Sequence, residues 1–570
     1  MISYKDKIAD ILAAHVYGVE REDIVSMIES PTDSKMGDYA FPCFKLAKVM
    51  RKAPPVIAES IADQIRDEDI FEKVENVKAY VNMFISKKAF ADEVVTEVIL
   101  KGDDYGRSEA GSGKKVIIEY SSPNIAKPFH IGHIRSTVIG NSIYKIYDFL
   151  GYDTVRINHL GDYGTQFGKM ICAYRRWGNK EDVINEPIKS LLSYYTKFHE
   201  EAEKHPELED EARAIFTKLE KGEPEEVELW QWFRDESLKE FNRVYDMMGI
   251  SFDSYNGESF YSDKMPRFVQ ELKDKGLLVE DNGAQIVRLD DYDLPPALIT
   301  KSDGSTLYIT RDIAAAVYRK ETYDFYKNIY VVASQQNLHF QQWIKVIELL
   351  GYDWAKECIH VPFGLVSMED GTMSTRHGRV VFLEDVLNKA IDKTKQIIEE
   401  KNVNTDNIDE TARDVGIGAV MFNELSNYRI KDYVFSWDKV LNFDGETGPY
   451  VQYTHARACS VLRNAGKDAV EKARAGFDPS YITGESAHEL IKLIYDFPAA
   501  VYDASEKYEP SVVTRHIIDV AQAFNKFYHD EHILVENEDE RNAKTALVIA
   551  ARAVIKNGLS LLGIKAPERM

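Results

Sequence analysis

The sequence predicts an α/β fold: a doubly wound parallel sheet of the Rossmann type, carrying insertions, with a small α/β domain before it and an all-α bundle after it. Three observations predict this. Residues 115–120 (KVIIEY) form a short β-branched run. A proline-broken loop follows, then Ile131, Ile134, Val138, Ile139, Ile143 and Ile146 at helical spacing. The same order returns at DTVRINHL and the glycine-rich loop 161–168. Two such units in succession favour a parallel sheet that binds ligands beyond the carboxyl ends of its strands. After Leu383 the pattern is almost entirely helical, and no strand pattern reappears.

Residues 1–102 read as the first domain. An opening helix runs towards Pro31, Gly37-Asp38-Tyr39 is a turn, and a helix spans Phe44 to Met50. Pro54 and Pro55 start another helix, residues 78–86 (KAYVNMFIS) alternate as a strand, and KKAFADEVVTEVIL is helical. The Gly-, Asp- and Ser-rich residues 103–114 make a linker.

The central domain covers 115–382. Its highly charged segment, about 179–249, reads as inserted, solvated helices. Asp281-Asn282-Gly283 and Ser302-Asp303-Gly304 are hairpin turns, the second flanked by 297–300 and 306–309. Residues 307–312 enter a helix with Asp312 at or near its start, where an N-cap is the plain structural role. The strand NIYVVAS ends at Gln335-Gln336-Asn337, and the strand CIHVPFGLVSM leads to the glycine-bounded loop 371–378. A helical connection at 383–444 precedes the helical domain 445–570. Interleaved basic and aromatic residues make that domain compatible with single-stranded RNA.

The 570 residues carry a net charge of −23. An acidic total does not exclude a nucleic-acid partner, since phosphate binding needs only a local basic face. No apolar run is long enough to span a bilayer, and the first residues read as a mixed-charge helix rather than a signal peptide. Cys43, Cys172, Cys358 and Cys459 form no C-x-x-C pair. They read as reduced packing residues of a cytoplasmic protein with no structural metal.

The candidate site lies in SSPNIAKPFHIGH. A helix that starts after a strand and loop leaves backbone N–H groups free for an anion. Here His130 and His133 lie three apart on one face, with Lys127 ahead of them and Gly132 between. The pair could hold a metal, but no third and fourth ligands stand nearby.

This string resembles the HIGH signature of class I aminoacyl-tRNA synthetases, most closely in its arginyl-tRNA synthetase form. The loop 371–378 stands where the family carries K-M-S-K, with Thr372 and Thr375 in both lysine positions. The resemblance makes Lys127 the substitute. It implies ATP, with magnesium, at Lys127, His130, Gly132, His133, Met373, Ser374 and Thr375, the catalytic group being Lys127, His130 and His133. It implies L-arginine at Ser122, Asn124, His133, Tyr308, Asp312 and Gln336, with Glu119 at the α-amino or side-chain end. The cognate arginine tRNA is implied at Tyr80 and Asn82 for its elbow, and at Tyr450, Tyr453, Arg457, Tyr528 and Met570 for its anticodon. Core packing is the competing role for Tyr80 and Tyr528. The reaction implied is adenylation of arginine and transfer to the terminal ribose of tRNA, by a monomer. Competing functions are a glutamyl or glutaminyl enzyme, an RNA-binding module without chemistry, and a nucleotidylyltransferase without tRNA.

Overall fold

The structure is a computed structural model that describes residues 3–31, 33–301, 308–368, 381–400, 407–442 and 445–570. The opening helix α1 (Tyr4–Ala13) ends earlier than its sequence suggests. A short helix, Arg21–Met27, follows a turn in which Gly18 takes φ +77°. Three antiparallel strands come next, β1 (Tyr39–Pro42), β2 (Phe71–Val77) and β3 (Tyr80–Ile85), in the order β1-β3-β2. β1 begins at Tyr39 inside the expected turn, too short to show an alternation of its own. Helix α2 (Pro54–Ile65) packs on this sheet through Ile57, Ile61 and Ile65, and α3 (Lys87–Lys101) follows it.

The central sheet contains β4 (Lys115–Glu119) and β5 (Asp153–Ile157), joined by α4 (Ile134–Phe149). Val116, Ile117 and Ile118 are fully buried, as expected for a parallel strand covered on both faces. Each such side chain contributes about 1.5–3 kcal/mol through burial. Helix α4 is buried on nearly every side rather than along one stripe, so its polar residues need partners. Ser136 Oγ donates to Val331 O, Thr137 Oγ1 to His133 O, and Ser142 Oγ to Leu561 O.

The charged insertion ends in α5 (Pro224–Met248). A hairpin of β6 (Leu278–Asp281) and β7 (Ala284–Val287) adds β8 (Ala297–Thr300); the second predicted turn, at 302–304, lies outside the described residues. Helix α6 (Tyr308–Tyr323) occupies part of the segment expected to flank that turn. Asp312 therefore stands four residues inside a helix, not at its cap. β9 (Lys327–Ala333), α7 (Asn337–Leu349) and β10 (Cys358–Phe363) complete the sheet, whose order is β10-β9-β4-β5 with every pairing parallel. Sequence-consecutive connections leave β4 towards β5, whereas β9 lies on its other side. The reversal opens a crevice at the carboxyl ends of β4 and β9.

The expected strand after Cys358 is two strands. β11 (Val366–Met368) leaves the main sheet and pairs in parallel with β12 (Tyr433–Phe435). β12 corrects the expectation that no strand follows Leu383; at three residues it is too short to leave a pattern. Between β11 and β12 run α8 (Leu383–Glu400) and α9 (Ile408–Ser426), and beyond them α10 (Gly448–Ala465) and α11 (Ser511–Asp530) belong to the helical end of the chain.

Two compact units result. One comprises Met1–Gly106, Thr454–Ala499 and His516–Asn557, and its core includes an edge-to-face cluster of Tyr4, Phe90 and Tyr495. The other comprises Arg107–Tyr453, Ala500–Arg515 and Gly558–Met570 and holds the parallel sheet. Residues 445–570 contribute to both.

Candidate active site

His130 caps the turn Ile131–His133 that leads into α4. The backbone N–H of His130 donates to His133 Nδ1 (3.1 Å), and that of Gly132 to His130 Nδ1 (3.0 Å). Ile131 N–H donates to Val381 O, and His133 N–H to His130 O. These four amides are thus spent within the chain, which corrects the expectation that they face an anion. The donors the turn can offer are the imidazoles. His130 Nδ1 accepts an amide hydrogen, which leaves its ring proton on Nε2; His133 Nδ1 lies between the amide and the carbonyl of His130, at 3.1 and 3.3 Å. The two ring centroids are 4.0 Å apart. Burial, and then the neighbouring His130, push His133 down to about 3; burial lowers His130 as well. Both rings are therefore neutral donors near pH 7. Lys127 is exposed just ahead of them.

Residues 369–380, which include Met373, Ser374 and Thr375, lie outside the described residues. Both flanks of that segment meet the imidazole turn. β11 packs on 131–133, and the returning chain pairs Phe382 with His130 while Leu383 N–H donates to Phe129 O.

The chain leaves β4 through three left-handed residues, Ser121 (φ 70°), Ser122 (φ 47°) and Ala126 (φ 58°), a strained run of the kind held in place only by its surroundings. Ser121 N–H donates to Ser136 Oγ, and Ser121 Oγ lies 2.8 Å from Thr137 Oγ1 and 2.7 Å from Tyr245 Oη. Asn124 pairs with Gly161, where a Cβ would fall 2.2 Å from Asn124 Oδ1. Asn124 is exposed, and Ser122 Oγ is buried without a partner, which suits a ligand contact. Asp162 accepts from Arg234 Nε (3.3 Å) and from Ser259 N and Oγ, and its carbonyl accepts from Trp230 Nε1. Trp230, Arg234 and Tyr245 all come from α5. The insertion read as solvated helices therefore buttresses both loops.

The acidic side of the crevice comes from α6. Tyr308 and Asp312 lie one turn apart, and Tyr308 is largely exposed. Asp312 Oδ2 is 2.5 Å from His339 Nε2 in the first turn of α7, just past Gln336. Glu258 pairs with Arg311 at 3.1 Å. Burial first, then Asp312 and Asp162, push its carboxyl up to about 7 against the opposing pull of Arg311 and Lys127. Lys127 and Asp312 thus both act on one carboxylate. Glu119, at the end of β4, closes an enclosed ion pair with Arg319 of α6 at 2.6 Å. Glu258, His339 and Arg319 were not singled out from the sequence. No motif surrounds them; the fold sets Glu258 against Arg311, His339 against Asp312 and Arg319 against Glu119.

The tRNA-directed residues fall in several places. Asn82 is fully buried on β3 with its amide 4.0 Å from Met36 Sδ, which corrects the expectation of an outward amide; Tyr80 is half-buried against Phe44. Tyr453 and Tyr528 are partly exposed, and the Arg457 guanidinium lies over the Tyr528 ring at 5.4 Å. Tyr450 and the terminal Met570 are half-buried. The four cysteines are buried free thiols. Among the described residues no group of three or more His, Cys, Asp or Glu side chains could hold a metal ion, and no helix is long and apolar enough to cross a membrane.

Three protein families match successive parts of the chain. The family described as tRNA synthetases class I (R), catalytic domain, matches residues 94–437; the DALR anticodon binding domain matches 451–570, and the arginyl tRNA synthetase N terminal domain 3–85. The chain is 59% identical to the arginine–tRNA ligase of Halothermothrix orenii and 60% identical to that of Clostridioides difficile, over the whole of each chain. Among solved structures it is similar to the arginyl-tRNA synthetase of Thermus thermophilus, with TM-score 0.79, 25% identity and 99% of both chains covered.

Proposed function

The chain belongs to the arginyl-tRNA synthetases of class I, and on that footing we propose how its residues divide the work. It is an arginine–tRNA ligase. The carboxylate of L-arginine attacks the α-phosphorus of ATP, pyrophosphate leaves, and the arginyl group then passes to the 3'-terminal ribose of the cognate tRNA. No enzyme nucleophile takes part, so catalysis consists of alignment and of stabilising charge on phosphate oxygens.

In the proposed arrangement the Nε2–H group of His130, and that of His133 in the tautomer whose Nδ1 accepts the His130 amide, donate to the phosphates, Lys127 adds a mobile cation, and Gly132 lets the nucleotide lie close. Met373, Ser374 and Thr375 close the other side. Magnesium is expected to enter with the ATP triphosphate. Asp312 accepts the guanidinium with Glu258 beside it, and Tyr308 covers it. Ser122, Asn124, His133 and Gln336 hold the amino and carboxylate ends. A pocket of acceptors rejects lysine by leaving its own polar groups unpaired, so no editing site is required. One observation carries this reading: Asn124 of the loop before the imidazoles pairs with Gly161, the adjoining Leu160 O accepts from Glu258 N–H at 2.9 Å, and Glu258 pairs with Arg311 next to Asp312, so that loop and the acidic slot are joined by direct contacts.

Tyr80 and Asn82 serve the tRNA elbow, Asn82 only if its amide is uncovered on binding. Tyr450, Tyr453, Arg457, Tyr528 and Met570 serve the anticodon. A cytoplasmic monomer completes the proposal, with domain limits at 102, 114, 382 and 444.

Asp312→Asn tests the pocket. The KM for arginine should rise about 30- to 1000-fold, as for an unpaired buried donor, with the KM for ATP within about threefold. Equal effects on both would remove Asp312 from the arginine pocket.

A further inference from the structure

Two residues beyond His133, α4 carries Arg135, completely buried. Its Nε lies 2.7 Å from Glu424 Oε1 on α9, and Glu424 is as enclosed as Arg135 itself. The contact is a close ion pair rather than an aligned hydrogen bond. Arg135 Nη1 donates to Lys431 O at 2.7 Å, its guanidinium stands 5.2 Å from the centre of the Tyr433 ring, and Tyr433 Oη donates to Glu424 Oε2.

Enclosing both charges costs several kcal/mol per ion before their attraction is counted, and apolar side chains of similar volume commonly serve stability as well or better. Stability alone is therefore a poor account of this cluster; its geometry is a better one. Tyr433 opens β12, which pairs with β11 in the register Tyr433↔Val366. Gly364 N–H donates to Arg429 O, Leu365 N–H to Asp432 Oδ1, and Tyr433 N–H to Leu365 O. A Cβ at Gly364 would fall 2.6 Å from Asp432 Oδ1, so the two backbones meet without clearance. Residues 429–435 and 364–368 thus form one block. Arg135 pins that block to the helix of the imidazoles, and β11 ends at Met368, the last described residue before 381.

We infer that Arg135, acting through Glu424 and Tyr433, is a positioning residue for adenylate formation: it sets the β11–β12 block, whose β11 packs on residues 131–133, against His130 and His133. The inference rests on the reading that residues 371–378 serve the nucleotide. Arg135 touches no substrate; removing it should slow the reaction of bound arginine without loosening arginine itself.

The test uses the full chain with cognate tRNA, reading kcat, the KM for arginine and for ATP, and the urea midpoint. In the paired variant Arg135→Met with Glu424→Leu, the midpoint should stay at or above that of the natural chain. The kcat should fall about tenfold or more, with the KM for arginine within about twofold. A stable paired variant with natural kcat overturns the inference. If that variant does not fold, Tyr433→Phe, which deletes only the hydroxyl, decides. A lowered kcat at an unchanged midpoint supports the inference, and an unchanged kcat overturns it. Ser374→Ala with Thr375→Ala separates the underlying reading. If this change leaves kcat and the KM for ATP untouched, the role of 371–378 fails. If it lowers them while the Arg135 set does not, only the role of Arg135 fails.

Discussion

Arg319 Nη2 closes on Glu119 Oε2 at 2.6 Å, so the carboxylate that ends the first strand of the parallel sheet already holds an arginine of the chain itself. Both side chains are almost fully enclosed. Glu119→Gln should leave Arg319 uncompensated and cost about 3–5 kcal/mol. Urea denaturation should register this as a lowered midpoint, and Glu119→Leu with Arg319→Met should recover most of it. An unchanged midpoint with a raised KM for arginine would return Glu119 to the substrate.

Glu258 makes arginine binding depend on pH in a definite direction. Its carboxyl is raised to about 7, chiefly by burial. An arriving guanidinium favours the ionised form, so affinity should be full above that value and decline as pH falls through it. The KM for arginine should climb between pH 8 and about 6. Glu258→Gln should raise it at high pH and flatten the profile. The same group adds stability to the empty enzyme as pH drops from about 7 towards 4.5, because the folded state keeps a proton the unfolded chain releases. A profile equally steep in Glu258→Gln would assign the titration elsewhere.

Lys127 is exposed, so its removal should spare the fold. Lys127→Ala should lower kcat for adenylation about 100- to 1000-fold, the scale of one lost electrostatic donor, at an unchanged urea midpoint. Lys127→Arg should restore part of the loss. Unchanged turnover in Lys127→Ala would show that the missing signature lysines are replaced from another quarter.

The legible parts of the fold were those with long or repeated patterns. Residues 115–141 announce strand, loop and helix because β-branched residues and a 3.6-residue period stand side by side, and DTVRINHL repeats the arrangement. Short pieces were silent: β12 has three residues, and its partner β11 was hidden at the end of a longer apolar run. In the candidate site, the histidine pair, Lys127 and Asp312 could be named because a motif or a family likeness surrounds them. Glu258, Arg319 and His339 could not, since each gains its meaning from a partner more than twenty residues away in sequence. Glu119 could be named, but its pairing with Arg319 could not, because a carboxylate at a strand end reads the same whether it faces a ligand or a neighbouring helix. Asn82 shows the same limit on β3, where Val81, Asn82 and Met83 are all enclosed and strict alternation of faces gives no guide.

Helix α4 meets β4 at a notch: a Cβ at Gly140 would fall 2.2 Å from the Tyr120 ring. The aromatic ring works as a key in a keyway. Sliding the helix by one residue would drive Ile139 or Asn141 into the tyrosine, so the imidazoles two turns upstream have a single permitted height above the sheet. Substrate-driven movement in this enzyme must therefore be carried by the parts around that helix, while the helix itself serves as the fixed datum.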